Sequence, residues 1–475
     1  MTATAVAVGH APPAIPAQRT RLAVAAVLSA MALVVLDANI VNVALPMIGG
    51  SLRTSPAASV LVVTAYQAGL IMALLPMGAV GERFGYRRVF AIGVAVFTLG
   101  SLFCALAPNM AWLVVSRFLQ GLGGAAVMSL GVALLRFSVG ADRLGAAIGW
   151  NALTVALASA AGPAIGGAIL ANASWHWLFA VNVPIGAVAL VAARALPPAG
   201  GRKQALDWGS AALNAVSFGC VILAAELLPR HPAPAVGLLV IACAAAALLL
   251  RRERSKAAPL VPLDLLRSAS FRGSVIASVC CFAGQTAGLV ALPFFLHDRL
   301  GQSPAATAAC MMVWPLSVAL MAPIAGRLSD RHSTARLCIA GALVLAGGLA
   351  LAALAPSGGP AYPVAGCAVL CGAGFGLFQT ANNRNLFLSA PAARSGAAGA
   401  MQGTARLAGQ TAGALGVTLL FATAPAASTP QAAFAIGAAL ACAAAVASAG
   451  RLSRVIGSLR ASDACERRGH MPCHR

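Results

Sequence analysis

Long apolar runs separated by short polar or basic connections occupy most of this chain, and about 20 helical residues suffice to cross a bilayer. Six runs, at 22–46, 59–80, 89–107, 111–135, 144–170 and 177–196, predict six membrane-spanning helices. Two more follow at 210–228 and 234–250. After the charged connection "RRERSKAAPLVPLDLLRSASFRG" come another six, at 273–296, 305–325, 337–355, 362–382, 397–424 and 431–449. The resulting all-α membrane fold has fourteen spans, an even number that places both ends of the chain on one side. Trp112, Trp175, Trp177 and Trp208 fall at predicted span ends, where an interfacial aromatic belt is expected.

The pattern repeats internally. "GAVGERFGYRR" at 78–88 and "GRLSDRHSTAR" at 326–336 superpose at a constant offset of 248 residues, aligning Gly78 with Gly326, Glu82 with Asp330, Arg83 with Arg331 and Arg88 with Arg336. Both are expected in the connection after the second helix of their half. Two parallel halves with a site between them near the midplane form a transporter architecture. The expected division is an arm over 1–20, a six-helix bundle over 21–200, two accessory helices over 201–255, a connection over 256–272, a second bundle over 273–452 and a tail over 453–475.

Composition agrees with a membrane location. The 475 residues are 60% hydrophobic and 9% charged, too few polar side chains to cover a soluble globule of this size. A net charge of +21 would suit nucleic-acid binding, but its distribution argues otherwise. Of 32 basic residues, Arg53, Arg230 and Arg299 fall in one set of connections, Arg117, Arg384 and Arg406 in or near spans, and the remaining 26 in the other connections and the tails. That asymmetry follows the positive-inside rule and predicts cytoplasmic termini, with no nucleic-acid partner.

Ten of the twelve cysteines lie in apolar segments, where they act as small hydrophobes and imply no disulfide. Cys465, His470, Cys473 and His474 in the tail are metal-ligating types, but their spacing matches no standard zinc site, so no metal is expected. The first 18 residues lack the basic segment and cleavage site of a signal peptide. With no phosphate-binding GxxxxGK[ST] loop and no hydrolase arrangement, neither ATP-driven transport nor an enzyme is expected, and no cofactor.

Candidate chemistry lies inside the spans. Asp37 stands in "VVLDANIVNVALP", and a mid-span carboxylate costs about 2.5–3.5 kcal/mol on insertion scales, so such residues usually face a cavity and mark ion or proton paths. It carries a proton, or it is a structural partner for Asn39, Asn42 or a neighbouring helix. Arg117, several residues inside the fourth span with Gln120 one turn later, is either a charge that acts on Asp37 or a clamp on backbone carbonyls. Asn39, Asn42, Gln120, Asn151, Gln379 and Asn382 are the candidate cavity residues. "AGPAIGG" supplies Pro163, which frees a carbonyl, and Gly162, Gly166 and Gly167, which let helices touch. At the membrane rim, Gly78, Glu82, Arg83, Gly85, Arg88, Asp330 and Arg331 suit either a charge-paired latch or a basic lipid anchor; the repeated acidic residue favours the latch.

In order along the chain, "LDANIVNVALP", "GAVGERFGYRR", "RFLQGLGGA", "AGPAIGG", "WHWLFAVNVPIG" and "DWGS" resemble the major facilitator superfamily, specifically its fourteen-helix drug/proton antiporter branch, over residues 22 to about 450. Asn39 replaces a usual threonine, Glu82 an aspartate, and Tyr86 and His176 arginines. The resemblance implies two six-helix bundles in a bacterial inner membrane, working as a monomer by alternating access. Small amphipathic compounds would leave as protons enter, Arg117 would tune the proton affinity of Asp37, and "AGPAIGG" would be the antiporter motif that restricts leakage. An uptake permease of the same fold and a non-transporting sensor are the alternatives. Of eleven acidic residues, Asp37 and Glu226 lie within the predicted spans, so lipophilic monovalent cations or neutral amphiphiles are the expected substrates.

Overall fold

The computed structural model describes residues 17–139, 144–198, 207–229, 231–254, 263–390, 395–425 and 428–467. Its helices are α1 (Ala17–Ser51), α2 (Pro56–Phe84), α3 (Tyr86–Ala105), α4 (Met110–Val139), α5 (Leu144–Asn172), α6 (Trp177–Ala195, interrupted near Val181), α7 (Trp208–Leu227) and α8 (Pro232–Glu253). After a short turn of helix at Leu263–Leu266 come α9 (Ala269–Arg299, ending in a π turn), α10 (Pro304–Arg331), α11 (Thr334–Ala353), α12 (Tyr362–Leu388), α13 (Ser395–Thr423) and α14 (Thr429–Arg467). Thirteen of these are long and apolar enough, by length and composition, to cross a membrane. The remaining long helix, α13, spans 29 residues and takes the position of the run at 397–424. The helix surfaces turned away from the bundle are apolar as well, with Val188 68% and Val446 72% exposed, as a lipid-facing surface requires.

The internal repeat persists at the level of single caps. Ser55 opens α2 by accepting from the Ala58 amide, with Pro56 as the first helical residue. Ser303 opens α10 by accepting from the Ala306 amide, with Pro304 first. Serine satisfies an orphan amide and proline lacks one, so the same dipeptide starts both helices, 248 residues apart. α3 and α11 likewise share length and offset. Within each half, glycines bring backbones together: a Cβ at Gly69 or Gly121 would overlap backbone of the partner helix in the α2/α4 pair, and Gly93 and Gly341 occupy equivalent contacts in α3/α4 and α11/α12.

The halves meet through α5 on α10, α2 on α13 and α1 on α9. Ile40, Leu45 and Ile48 of α1 join Leu292, Phe295, Ala308 and Met311 of the second half in one apolar core near the end of the bundle opposite the chain termini. On the terminal face the cores separate, one around Val27, Phe90 and Leu134, the other around Phe271 and Leu386. α7 and α8 form a hairpin on the flank, where Asn214 donates to the Met72 carbonyl of α2 at 3.0 Å. In "DWGS", Asp207 caps α7 by accepting from the Ser210 amide at 3.1 Å, and the Ser210 hydroxyl donates to Glu253 of α8 at 2.7 Å.

Three expectations change. The "GAVGERFGYRR" segment is hardly a loop: α2 runs through Phe84 and α3 begins at Tyr86, so Gly85, at φ 94°, is the whole connection. A left-handed residue between two helices favours glycine. Trp175 leaves the interfacial belt, being 4% exposed and stacked on His176 at 3.7 Å, whereas Trp112, Trp177 and Trp208 are exposed. α14 continues beyond its span to Arg467, so part of the tail is helical. The arm over 1–16 and the tail residues His470, Cys473 and His474 lie outside the described residues.

Candidate functional site

Asp37 is fully buried in the first half, and two helices supply its partners. Arg117 Nη1 of α4 donates to Oδ2 at 2.5 Å, while Gln120 Nε2 of α4 and Asn182 Nδ2 of α6 donate to Oδ1 at 2.9 and 2.7 Å. Arg117 is 1% exposed; its Nη1 also reaches Gln120 Oε1 at 2.5 Å and its Nε donates to the Val62 carbonyl of α2 at 3.1 Å. Gln120 Nε2 donates in addition to Ser101 Oγ of α3 at 2.7 Å. The guanidinium lies over the rings of Tyr66 and Phe179, its central carbon 4.2 and 5.6 Å from their centroids.

This geometry follows from local sequence. Arg117 and Gln120 are three residues apart and share one face of α4. Close α2/α4 packing through Gly69 and Gly121 carries Tyr66 onto the guanidinium. Arg117 thus makes both kinds of contact in one side chain, an ion pair with Asp37 and a hydrogen bond to a backbone carbonyl. Asn39 and Asn42 are not partners of Asp37; their amides donate to the Val35 and Ala38 carbonyls of their own helix, at 2.7 and 3.2 Å.

Between the halves lies a cavity of about 450 Å³, large enough for a small organic molecule. Arg117 forms part of its wall and Asp37 sits behind. The first half adds Asn39, Asn42, Tyr66, Gln67, Ser159 and Pro163; the second adds Phe282, Gln285, Trp314, Phe375, Gln379, Asn383, Arg406 and Gln410. The wall is therefore apolar and aromatic with scattered amides, and no Asp or Glu stands among its described residues.

Asn39, Asn42 and Gln379 thus reach the cavity, but three candidates do not. Gln120 belongs to the buried charge cluster. Asn382 is 1% exposed and donates to Ser278 Oγ and the Ser274 carbonyl of α9 at 2.7 and 3.1 Å, tying helices together while Asn383 takes the wall position. Asn151 lies away from the lining, its buried Oδ1 without a partner among the described residues. Sequence reasoning missed Asn182, Ser101, Tyr66 and Arg406, which tertiary packing brings in from other helices.

The glycines of "AGPAIGG" divide their contacts. Gly162 and Gly166 press on Asn39 and Ile40 of α1, a Cβ at Gly162 lying 2.6 Å from that of Asn39. Gly167 faces the other half, where a Cβ would overlap that of Ala308 in α10. At the rim, Glu82, Arg83, Arg88 and Arg331 are exposed, Arg83 lies over the Phe84 ring at 5.3 Å, and Gly78 packs near Ser129. The Asp330 side chain lies outside the described residues.

The Major Facilitator Superfamily model matches residues 27–417. Relatives include the uncharacterized transporter YebQ of Escherichia coli (strain K12), 42% identical over 84% of this chain and 88% of its own. The riboflavin transporter RibZ of Clostridioides difficile (strain 630) is 29% identical over 78% of this chain and 81% of its own. The multidrug resistance protein Stp of Mycobacterium tuberculosis (strain CDC 1551 / Oshkosh) is 31% identical over 80% and 72% respectively.

Proposed function

The chain belongs to the major facilitator superfamily and is a multi-pass membrane transporter; we propose that it exports small amphipathic compounds in exchange for protons. The observation that carries this reading is the buried Asp37, held by Arg117 at the wall of the cavity between the halves. Protonating Asp37 removes the anion that holds the guanidinium. Arg117 then loses its partner, and the contacts among α1, α4 and α6 loosen on the same event. A proton entering from outside would thereby reset the site after substrate has left, which is the requirement for exchange.

The excess of arginines on the terminal face supports placing that face in the cytoplasm of a bacterial inner membrane. The shared apolar core near the opposite end and the separate cores on the terminal face suit a conformation closed to the outside. Working as a monomer, the two six-helix bundles would rock about the cavity, the rim residues Glu82, Arg83 and Asp330 latching the terminal face when it closes. Similarity to a multidrug resistance protein supports export, the relatives also include a riboflavin transporter, and uptake by the same fold is the alternative.

Inverted membrane vesicles decide between them. Energising vesicles that contain the protein should drive accumulation of an amphipathic fluorescent dye, and a protonophore should discharge it. Dye accumulation by right-side-out cells under the same gradient would establish uptake instead.

A further inference from the structure

Arg406 projects from α13 into the central cavity, and its Nε is buried without a hydrogen-bond partner among the described residues. No described ion pair involves it. Arg117, the other cationic side chain on this wall, is paired with Asp37, whose two oxygens are already taken by Arg117, Gln120 and Asn182. Trp314, on α10, adds a second orphaned donor to the same cavity, its Nε1 also buried and without a partner among the described residues. Around them lie the rings of Phe282 and Phe375, packed edge to face at 5.1 Å.

A guanidinium within a membrane bundle persists when it meets an anion or a polar cavity, and its planar fork matches a carboxylate or phosphate through two parallel hydrogen bonds. The charge balance points the same way. Asp37 and Arg117 cancel, so Arg406 leaves the cavity with one net positive charge, which repels a cation in low dielectric and attracts an anion. We propose that the transported compound is an amphipathic oxyanion whose carboxylate or phosphate binds Arg406 while its apolar body lies against Phe282, Trp314 and Phe375. Counting carboxylates in the spans favoured cations or neutral molecules because that count left Arg406 out.

The inference rests on this cavity being the transport site, and it is independent of direction and of proton coupling. It is tested by calorimetric titration of the purified full-length protein, with no gradient present. Four probes share one ring: 1-naphthylacetate, 1-naphthyl phosphate, neutral 1-naphthylacetamide and 1-naphthylmethylammonium. The wild-type protein should bind at least one anion about tenfold more tightly than the amide, and the cation least. Which anion binds better separates carboxylate from phosphate recognition. Arg406→Gln should bring anion affinity down to that of the amide measured on the same variant, and Arg406→Lys should retain part of the preference. Equal affinity for all four probes, tighter binding of the cation, no measurable binding of either anion, or a preference that survives in Arg406→Gln would overturn the proposal. Because binding is read without transport, failure in the vesicle assay alone would count against export and leave the ligand assignment standing.

Discussion

Replacing Asp37 by asparagine separates two roles that the cluster combines. Asp37 accepts from Arg117, Gln120 and Asn182 at 2.5, 2.9 and 2.7 Å. In Asp37→Asn the remaining carbonyl can accept from Arg117, but the guanidinium is left buried without a counter-ion, which costs about 3–5 kcal/mol. The Asn182 amide can turn so that its Oδ1 accepts from the new amide, which replaces the bond its Nδ2 donated to Asp37 and adds none. A net loss of about 3–5 kcal/mol follows. Adding Arg117→Gln removes the stranded charge, so the double variant should regain most of that stability, giving a coupling energy of at least about 1.5 kcal/mol in a double-mutant cycle. Stability is measured by unfolding of the purified protein, and coupling by substrate accumulation in proteoliposomes under an imposed pH gradient, with equilibrium exchange of labelled substrate as the control. Asp37→Asn should retain exchange and lose accumulation, and the double variant should regain stability without accumulation. Restored accumulation in the double variant would refute the proton role, leaving Asp37 as no more than the partner that neutralises Arg117.

Three further outcomes follow from particular contacts. Gly167→Leu forces a side chain into Ala308 of the opposite half and should abolish transport in a well-expressed protein, read in the same vesicles, whereas Gly50→Leu, where a Cβ meets open space, should transport normally. Asn382→Ala removes two buried hydrogen bonds between α12 and α9 and should lower unfolding stability by about 1–3 kcal/mol with substrate preference unchanged, while Asn383→Ala on the cavity wall should alter preference more than stability. Gly85→Ala places a Cβ at φ 94° in the one-residue connection between α2 and α3 and should cost about 1–2 kcal/mol by thermal unfolding.

Much of the architecture was legible because span-forming signals are local. Hydropathy located the spans, and the Ser-Pro dipeptides at 55–56 and 303–304 are readable start signals that extend α2 and α10 beyond their apolar runs. Asp37 stood out for a physical reason, the cost of a carboxylate in lipid. Its donors did not all stand out: Asn182 is 145 residues away in sequence, and nothing in "NVPIG" distinguishes a donor to Asp37 from an interfacial asparagine. Phase was the other obstacle. One residue turns a helix by about 100°, so Asn382 and Asn383 exchange clamp and cavity roles on a distinction that the polar run "QTANNRN", which puts polar residues on every face of this end of α12, does not encode. Arg406 was visible as a residue but not as a wall position, since that depends on α13 packing against α2 in the other half.

An oxyanion on Arg406 sharpens the choice between export and uptake, because the two cycles move different charge. Protonating Asp37 raises the positive charge beside the cavity, so within one conformation the proton and the anion favour each other's binding, as a symporter would use. Exchange instead requires that the two occupy the protein on opposite strokes. One proton entering with one monovalent anion moves no net charge, so uptake at that stoichiometry ignores the membrane potential. One proton entering as one anion leaves moves two charges inward, and each is worth about 2.3 kcal/mol per 100 mV. At a fixed pH gradient, a clamped potential of about 60 mV should therefore shift the steady-state distribution of 1-naphthylacetate by about 100-fold under exchange and leave it unchanged under symport. The measurement is made in proteoliposomes with the potential set by potassium and valinomycin. A distribution indifferent to that potential, alongside preserved dependence on the pH gradient, would reverse the direction assigned here while leaving Arg406 as the anion site.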